Sequence, residues 1–248
     1  MPSSSHRPRK RFGQHFLHER GVLEKIVAAI HPSQEDFIVE IGPGEGALTR
    51  LLHPRSVVEI DRDLAAGLRS EFPDLEVHEA DALELDFGQF PKGMRIVGNL
   101  PYNISTPLLF HLARYAGRVR DMHFMLQLEV VERMVAAPST PAYGRLSVAL
   151  QARFAMEKLF TVAKGAFRPP PKVESAVVRL EPLAQPLAVD DDVLRKAFSA
   201  RRKQLGNALP QVDFAALGID PKRRAETLSP AEYARMTRHL SSKGRDGT

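Results

Sequence analysis

The chain has 248 residues, 43% of them hydrophobic and 26% charged, with a formal net charge of +5 and no Cys. That length builds one large domain, or one medium domain with an appendage, around a real core. Lack of Cys excludes disulfides, thiolate zinc sites and Cys nucleophiles together and suits a reducing cytoplasm.

The N-terminal arm carries Arg7, Arg9, Lys10, Arg11 and Arg20 against Glu19, a local charge of +4. Residues 185–248 hold twelve Lys/Arg and eight Asp/Glu, again +4, which leaves −3 for residues 21–184. A basic arm and a basic tail around a mildly acidic middle fit contacts to a polyanion, most simply nucleic acid phosphates, or else a solvated basic surface. The arm has no apolar core after its basic residues, and no apolar run approaches the roughly 18 residues a membrane span needs. A cytoplasmic protein without membrane contact is expected.

After the arm, "GVLEKIVAAIH" spaces Val22, Ile26 and Ile30 on one helical face, and Pro32 follows that helix. Short β-branched runs then alternate with helical stretches: "FIVEI" at 37–41, "SVVEI" at 56–60, "LEVHEAD" at 75–81, "RIVGN" at 95–99 and "HFMLQLEV" at 123–130. This order predicts an α/β fold with a largely parallel sheet and helices on both faces. "KLFTVA" and "ESAVVRLEP" read as two further strands, antiparallel neighbours, because only the loop "KGAFRPPPKV" separates them. "EPLAQPLAVDDD" has the composition of a linker, and "DVLRKAFSARRKQLGNAL", "FAALG" and "SPAEYARMTRHL" beyond it read as helical, which predicts domains 1–184 and 185–248.

Chemistry gathers where the strands end. In "FIVEIGPGEGALTRLL", Gly42, Gly44 and Gly46 allow a sharp turn and close backbone approach to a ligand. The spacing is G-x-G-x-G, unlike the dinucleotide fingerprint G-x-G-x-x-G, and so disfavours a nicotinamide oxidoreductase. Glu59 or Asp61, 17 or 19 residues past Gly42, lies at the distance from which a carboxylate accepts from ribose hydroxyls. Asp81 ends the third strand, where it would accept from an exocyclic amine such as that of adenine, or cap the next turn. In "GNLPYNIST", Asn99 closes the fourth strand, while Pro101 removes a donor and biases Leu100 away from helix. The Asn99 side-chain oxygen and the Leu100 carbonyl thus form a pair of acceptors for the two hydrogens of an aromatic amine, and Tyr102 offers a ring for a flipped base.

These stretches carry a resemblance. "FGQHFL", "EIGPGEGALT", "EIDRDLA", "GNLPYNISTPLLFHL", "DMHFMLQLEVVERM", "YGRLSV" and "FRPPPKVESAVVRL", in this order, closely resemble the small-subunit (16S) ribosomal RNA adenine N6,N6-dimethyltransferase family. "FSARRKQLGNAL" and "GIDPKRRAETLS" extend the likeness into the tail. The resemblance implies a Rossmann-like, seven-stranded class I methyltransferase sheet with a small C-terminal helical domain. It implies S-adenosylmethionine as cofactor, no metal, and a monomer that acts on 16S rRNA within the 30S subunit. His15, Leu17, Gly42, Gly44, Glu59, Asp81, Ala82 and Asn99 would line the cofactor. Asn99, Leu100, Pro101 and Tyr102 would present the target, with Phe167 opposing Tyr102 across the base. Arg7, Arg9, Lys10 and Arg11 in the arm and Arg201, Arg202 and Lys203 in the tail would contact RNA phosphates. His15 departs from the Asn usual in the family. His15 and His18 form an H-x-x-H pair with no third metal ligand nearby in sequence. Two rivals remain open: the related large-subunit rRNA methyltransferases of macrolide resistance, which usually have Ile in place of Leu100, and an assembly factor that acts mainly by binding.

Overall fold

A computed structural model describes residues 13–199 and 203–243. Its contacts divide the chain into two compact units, one of Met1–Val131 with Glu157–Glu181, the other of Glu132–Met156 with Pro182–Thr248. A single cut near residue 185 was expected. The chain in fact enters the second unit twice, because Glu132–Met156 groups with the C-terminal segment.

The first unit holds a two-residue strand β1 (Phe16–Leu17) and the strands β2 (Ile38–Ile41), β3 (Ser56–Glu59), β4 (Glu76–Glu79), β5 (Met94–Asn99) and β6 (Val119–Gln127). β8 (Phe167–Arg168) lies in it whole, while β7 (Phe154–Val162) begins with residues of the second unit and β9 (Ser175–Pro182) ends on one. Seven of them form one sheet in the order β4-β3-β2-β5-β6-β9-β7. β2 to β6 pair in parallel, and β9 runs antiparallel to β6. The Pro-rich loop thus inserts β9 between β6 and β7, so the two last strands are neighbours as expected. The "HFMLQLEV" strand begins earlier than its sequence pattern suggests, at Val119, and gives way at Leu128 to helix α5 (Leu128–Val135). A polar face with a strong helical stripe outweighs β-branched content there.

The central parallel strands are covered on both faces: every residue of β2 and β3 is buried, including the polar Glu40, Ser56 and Glu59, whereas the edge strand β4 is partly exposed. Helix α1 (Arg20–Ile30) covers one end with Leu23, Ile26 and Ile30. It starts where the Glu19 carboxylate accepts from the Gly21 and Val22 N–H groups, and it ends at His31, which is left-handed with φ 49° ahead of Pro32. α2 (Thr49–Leu52), α3 (Arg62–Glu71) and α4 (Ser105–Leu112) follow β2, β3 and β5. Arg95, on β5 and only 3% exposed, is the polar hub of this unit. Its five N–H donors all find acceptors: the Asp121 carboxylate twice, Asp36, and the Ile30 and His31 carbonyls at the end of α1.

In the second unit, α6 (Arg145–Gln151) is buried from Leu146 to Leu150, and α7 (Asp191–Ala197), α8 (Leu205–Ala208) and α9 (Pro230–Lys243) supply the rest. The helix read from "DVLRKAFSARRKQLGNAL" is therefore two helices, and "FAALG" forms turns. Buried phenol hydroxyls tie the unit together, Tyr143 donating to Leu228 O and Tyr233 to Ala225 O, each at 2.8 Å. Among the described residues no helix is long and apolar enough to cross a membrane.

Candidate active site

The carboxyl ends of β2, β3 and β5, the turn after β4 and the N-terminal arm enclose one cleft. Parallel pairing brings these ends together: Ile41 lies opposite Val58 and Gly98, and Glu59 opposite Glu79. Close approach needs glycine at two places. Gly44 has φ +57°, and a Cβ there would sit 2.9 Å from the Phe16 ring of the arm. At Gly98 a Cβ would sit 2.4 Å from the Ile41 carbonyl oxygen, so β2 and β5 touch closely at the floor of the cleft.

The two acids at the end of β3 are placed differently. Glu59 is buried and lines the cleft, where its carboxylate accepts from Gly44 N–H at 3.2 Å and Asp61 N–H at 2.9 Å. Burial raises its pKa in spite of these bonds from Asp61 and Gly44. Asp61 instead caps α3 by accepting from Asp63 N–H, and its other oxygen accepts from the Gln14 side chain of the arm. Asp81 caps the following turn, where Oδ1 accepts from Leu83 N–H, and it also lines the cleft beside buried Ala82.

Asn99 reaches the same edge with a defined orientation. Its Nδ2 donates to the His15 carbonyl at 2.9 Å, so the amide oxygen is the atom left for the cleft. The Leu100 N–H donates to Met125 O within the sheet, while Pro101 has no N–H to give. Acceptors dominate this turn. Tyr102, half-buried, places its ring against the His15 imidazole with centroids 5.4 Å apart.

His15, Leu17, Gly42, Gly44, Glu59, Asp81, Ala82, Asn99, Leu100, Pro101 and Tyr102 all line this one cleft. Phe167 does not. It is 2% exposed, lies opposite Leu17 in the β1–β8 pair, and packs in the apolar core with Leu23, Ile26 and Val177. The sequence reading expected it to oppose Tyr102 across the base; here it packs in the core beside Leu17. Lys203 is exposed, whereas Arg7, Arg9, Lys10, Arg11, Arg201 and Arg202 lie outside the described residues. Among the described residues no group of three His, Asp or Glu is placed to hold a metal ion.

Phe16 and Glu40 are among the cleft residues that the sequence pattern did not single out. Phe16 closes over Gly44, and only its place in the arm beside His15 hinted at that. Glu40 is 2% exposed in β2 and accepts from the Thr49 hydroxyl at 2.7 Å. Burial pushes its pKa up to about 7 against the Thr49 bond, with help from Glu59. A carboxyl whose pKa is higher folded than unfolded contributes fully below the unfolded value and loses that contribution as pH rises. The ligand-free protein is therefore expected to lose up to about 3 kcal/mol between pH 4.5 and 7 from this group. Glu40→Gln should make that decline shallower, leaving the part due to Glu59; urea midpoints at pH 5 and pH 8 check it, and parallel curves for the two proteins would refute it.

A Rossmann-like sheet with a glycine cradle at β2 and acids after β3 and β4 is the architecture of a class I methyltransferase. It is shared with a dimethyladenosine transferase from Plasmodium falciparum, at TM-score 0.78 and 26% identity over 93% of this chain and 98% of that one. The 23S rRNA methyltransferase ErmE also shares it, at TM-score 0.68 and 27% identity over 91% and 99%. The chain belongs to the ribosomal RNA adenine dimethylase family, whose model matches residues 5–242. Proteins called ribosomal RNA small subunit methyltransferase A from Thiobacillus denitrificans and Laribacter hongkongensis are 56% and 54% identical to it, over 96% and 98% of this chain and 100% and 99% of theirs.

Proposed function

We propose that this rRNA adenine dimethyltransferase uses S-adenosylmethionine to methylate N6 of two adjacent adenosines in the hairpin loop near the 3′ end of 16S rRNA, twice each, within the assembling 30S particle. The orientation of Asn99 carries this reading. Its donor is engaged by the arm, so an acceptor faces the place where an adenine amine must lie.

The residues of the cleft fit the cofactor. Glu59 keeps acceptor capacity for ribose hydroxyls, Asp81 for an adenine amine, exposed Ile60 offers apolar surface beside them, and the glycine cradle admits the methionine portion. When bound, the cofactor supplies a methyl carbon already activated by a sulfonium. The protein's task is therefore positional. Two neutral acceptors, Asn99 Oδ1 and Leu100 O, hold the amine hydrogens so that the nitrogen lone pair turns from the ring toward the methyl donor. As the new N–C bond forms and the S–C bond to the methyl group breaks, its electron pair going to the sulfonium sulfur, positive charge grows on nitrogen, and both acceptors would stabilise it more strongly than the neutral amine. The proton then leaves to solvent.

Lys203, with Arg201, Arg202 and the arm residues Arg7, Arg9, Lys10 and Arg11, would supply phosphate contacts from a protein acting as a monomer in the cytoplasm, with residues 185–248 as the main RNA-binding domain. The test is transfer of labelled methyl groups to unmethylated 30S and 50S subunits, followed by nucleoside analysis. Dimethyladenosine in the 30S RNA alone supports the proposal. Label in 50S RNA would move the substrate to the large subunit, and tight 30S binding without label would favour an assembly factor.

A further inference from the structure

Tyr102 is fixed by more than its own backbone. Its hydroxyl lies 2.5 Å from the hydroxyl of Ser175, a residue with no exposed surface. Ser175 is the first residue of β9, and its register opposite Gln127 brings it to the sheet edge where Asn99 lies opposite Met125. Burial raises the Tyr102 pKa despite the Ser175 bond, which keeps the phenol neutral at working pH.

The ring has a second support. The His15 imidazole stacks on it with planes 30° apart. His15 is itself held, with Nδ1 2.7 Å from Pro169 O. A carbonyl only accepts, so Nδ1 carries the hydrogen and donates. The His15 carbonyl in turn accepts from Asn99. Pro169 opens the loop that leads into β9 at Ser175, so a single segment braces the far end of the Tyr102 ring and the imidazole against its face.

We propose that Ser175 and His15 are positioning residues that mount the Tyr102 ring, so that the target base meets only the face His15 leaves free. The proposal rests on the methyltransferase reading above and adds to it the parts that set the stacking plane. A hydroxyl anchored at the far end of the ring removes the χ1 freedom that a half-buried Tyr otherwise keeps. Stacking sets the height and tilt of the adenine, and a misplacement near 1 Å costs on the order of a hundredfold in rate. In this chain His15 stands where the family usually has Asn, so the stacked support is a feature of this sequence.

The test compares Ser175→Ala, Tyr102→Phe and the double variant in the full chain. Steady-state methyl transfer to 30S subunits gives kcat and KM, calorimetry gives S-adenosylhomocysteine affinity, and NMR follows the His15 ring signals, which the stacked Tyr102 ring shifts. Each single change is expected to lower kcat about tenfold, leave KM and the affinity within about twofold, and move the His15 signals toward those of a free imidazole. The double variant should be no slower than either single one, since both remove the same bond. Effects that multiply in the double variant, or a Ser175→Ala protein with normal kcat and normal His15 signals, would overturn the mount. Should Ser175→Ala fail to fold, Tyr102→Phe decides alone, because it keeps the ring at a half-buried site; normal kcat and ring signals there refute the proposal. If the ring signals respond while even the unaltered protein leaves 30S RNA unmethylated, the mount stands and the substrate assignment falls.

Discussion

Asn99→Ala is expected to lower methyl transfer by about 10²–10³-fold while 30S binding stays within a few-fold of normal. The loss follows from position. Asn99 Oδ1 is one of two acceptors for the amine hydrogens, and a neutral acceptor acts most strongly when charge develops on the nitrogen, so the effect belongs in kcat. Asn99 also tethers the arm by donating to the His15 carbonyl, so the variant should bind cofactor somewhat more weakly. Asn99→Asp separates the two roles, for it keeps an acceptor and loses the donor. Single-turnover rates with saturating cofactor read the chemical step apart from binding. A rate for Asn99→Ala within threefold of normal would remove Asn99 from the mechanism.

The largest expected effect on stability is that of Arg95→Met. It leaves buried Asp121 with only His123 beside it, takes from Asp36 one of its two cations while Arg120 remains, and strips the last carbonyls of α1 of a donor, a loss of about 3 kcal/mol and at most about 5 kcal/mol. For a chain of this size that corresponds to a melting shift of about 6–20 °C. Acid should narrow the gap. Although burial works in the opposite direction, the neighbouring His123 and the Arg95 guanidinium hold the Asp121 carboxyl down to about 2. This lowered pKa contributes stability above the unfolded value of 3.8, and the contribution is lost as pH falls toward 2. Without the guanidinium, protonation relieves the buried carboxylate instead. Melting curves between pH 7 and pH 3 should show the two proteins converging, and a constant difference would contradict the role given to the ion pair.

Most of the sheet was legible, because apolar β-branched runs and glycine turns are local signals. The cleft residues Glu59, Asp81 and Asn99 were legible for a related reason: Glu59 and Asn99 close their strands, Asp81 lies just past the end of β4, and parallel strands end together. What escaped depends on contacts far apart in sequence. Arg95 opens the run "RIVGN" and reads like a charge at a strand end, yet its partners come from residues 30–36 and 121 and define a buried hub. That Phe167 packs in the core was visible only from its register with Leu17, 150 residues earlier. The second unit was cut too simply for the same reason, since Tyr143 reaches Leu228 across 85 residues.

A crystal structure of the protein with S-adenosylhomocysteine and adenosine tests the positional mechanism most directly. The adenosine N6 should lie about 3 Å from both Asn99 Oδ1 and Leu100 O, with the base on the open face of Tyr102. An amine turned away from those two oxygens, or a cofactor seated outside the Gly42–Glu59–Asp81 cleft, would contradict it.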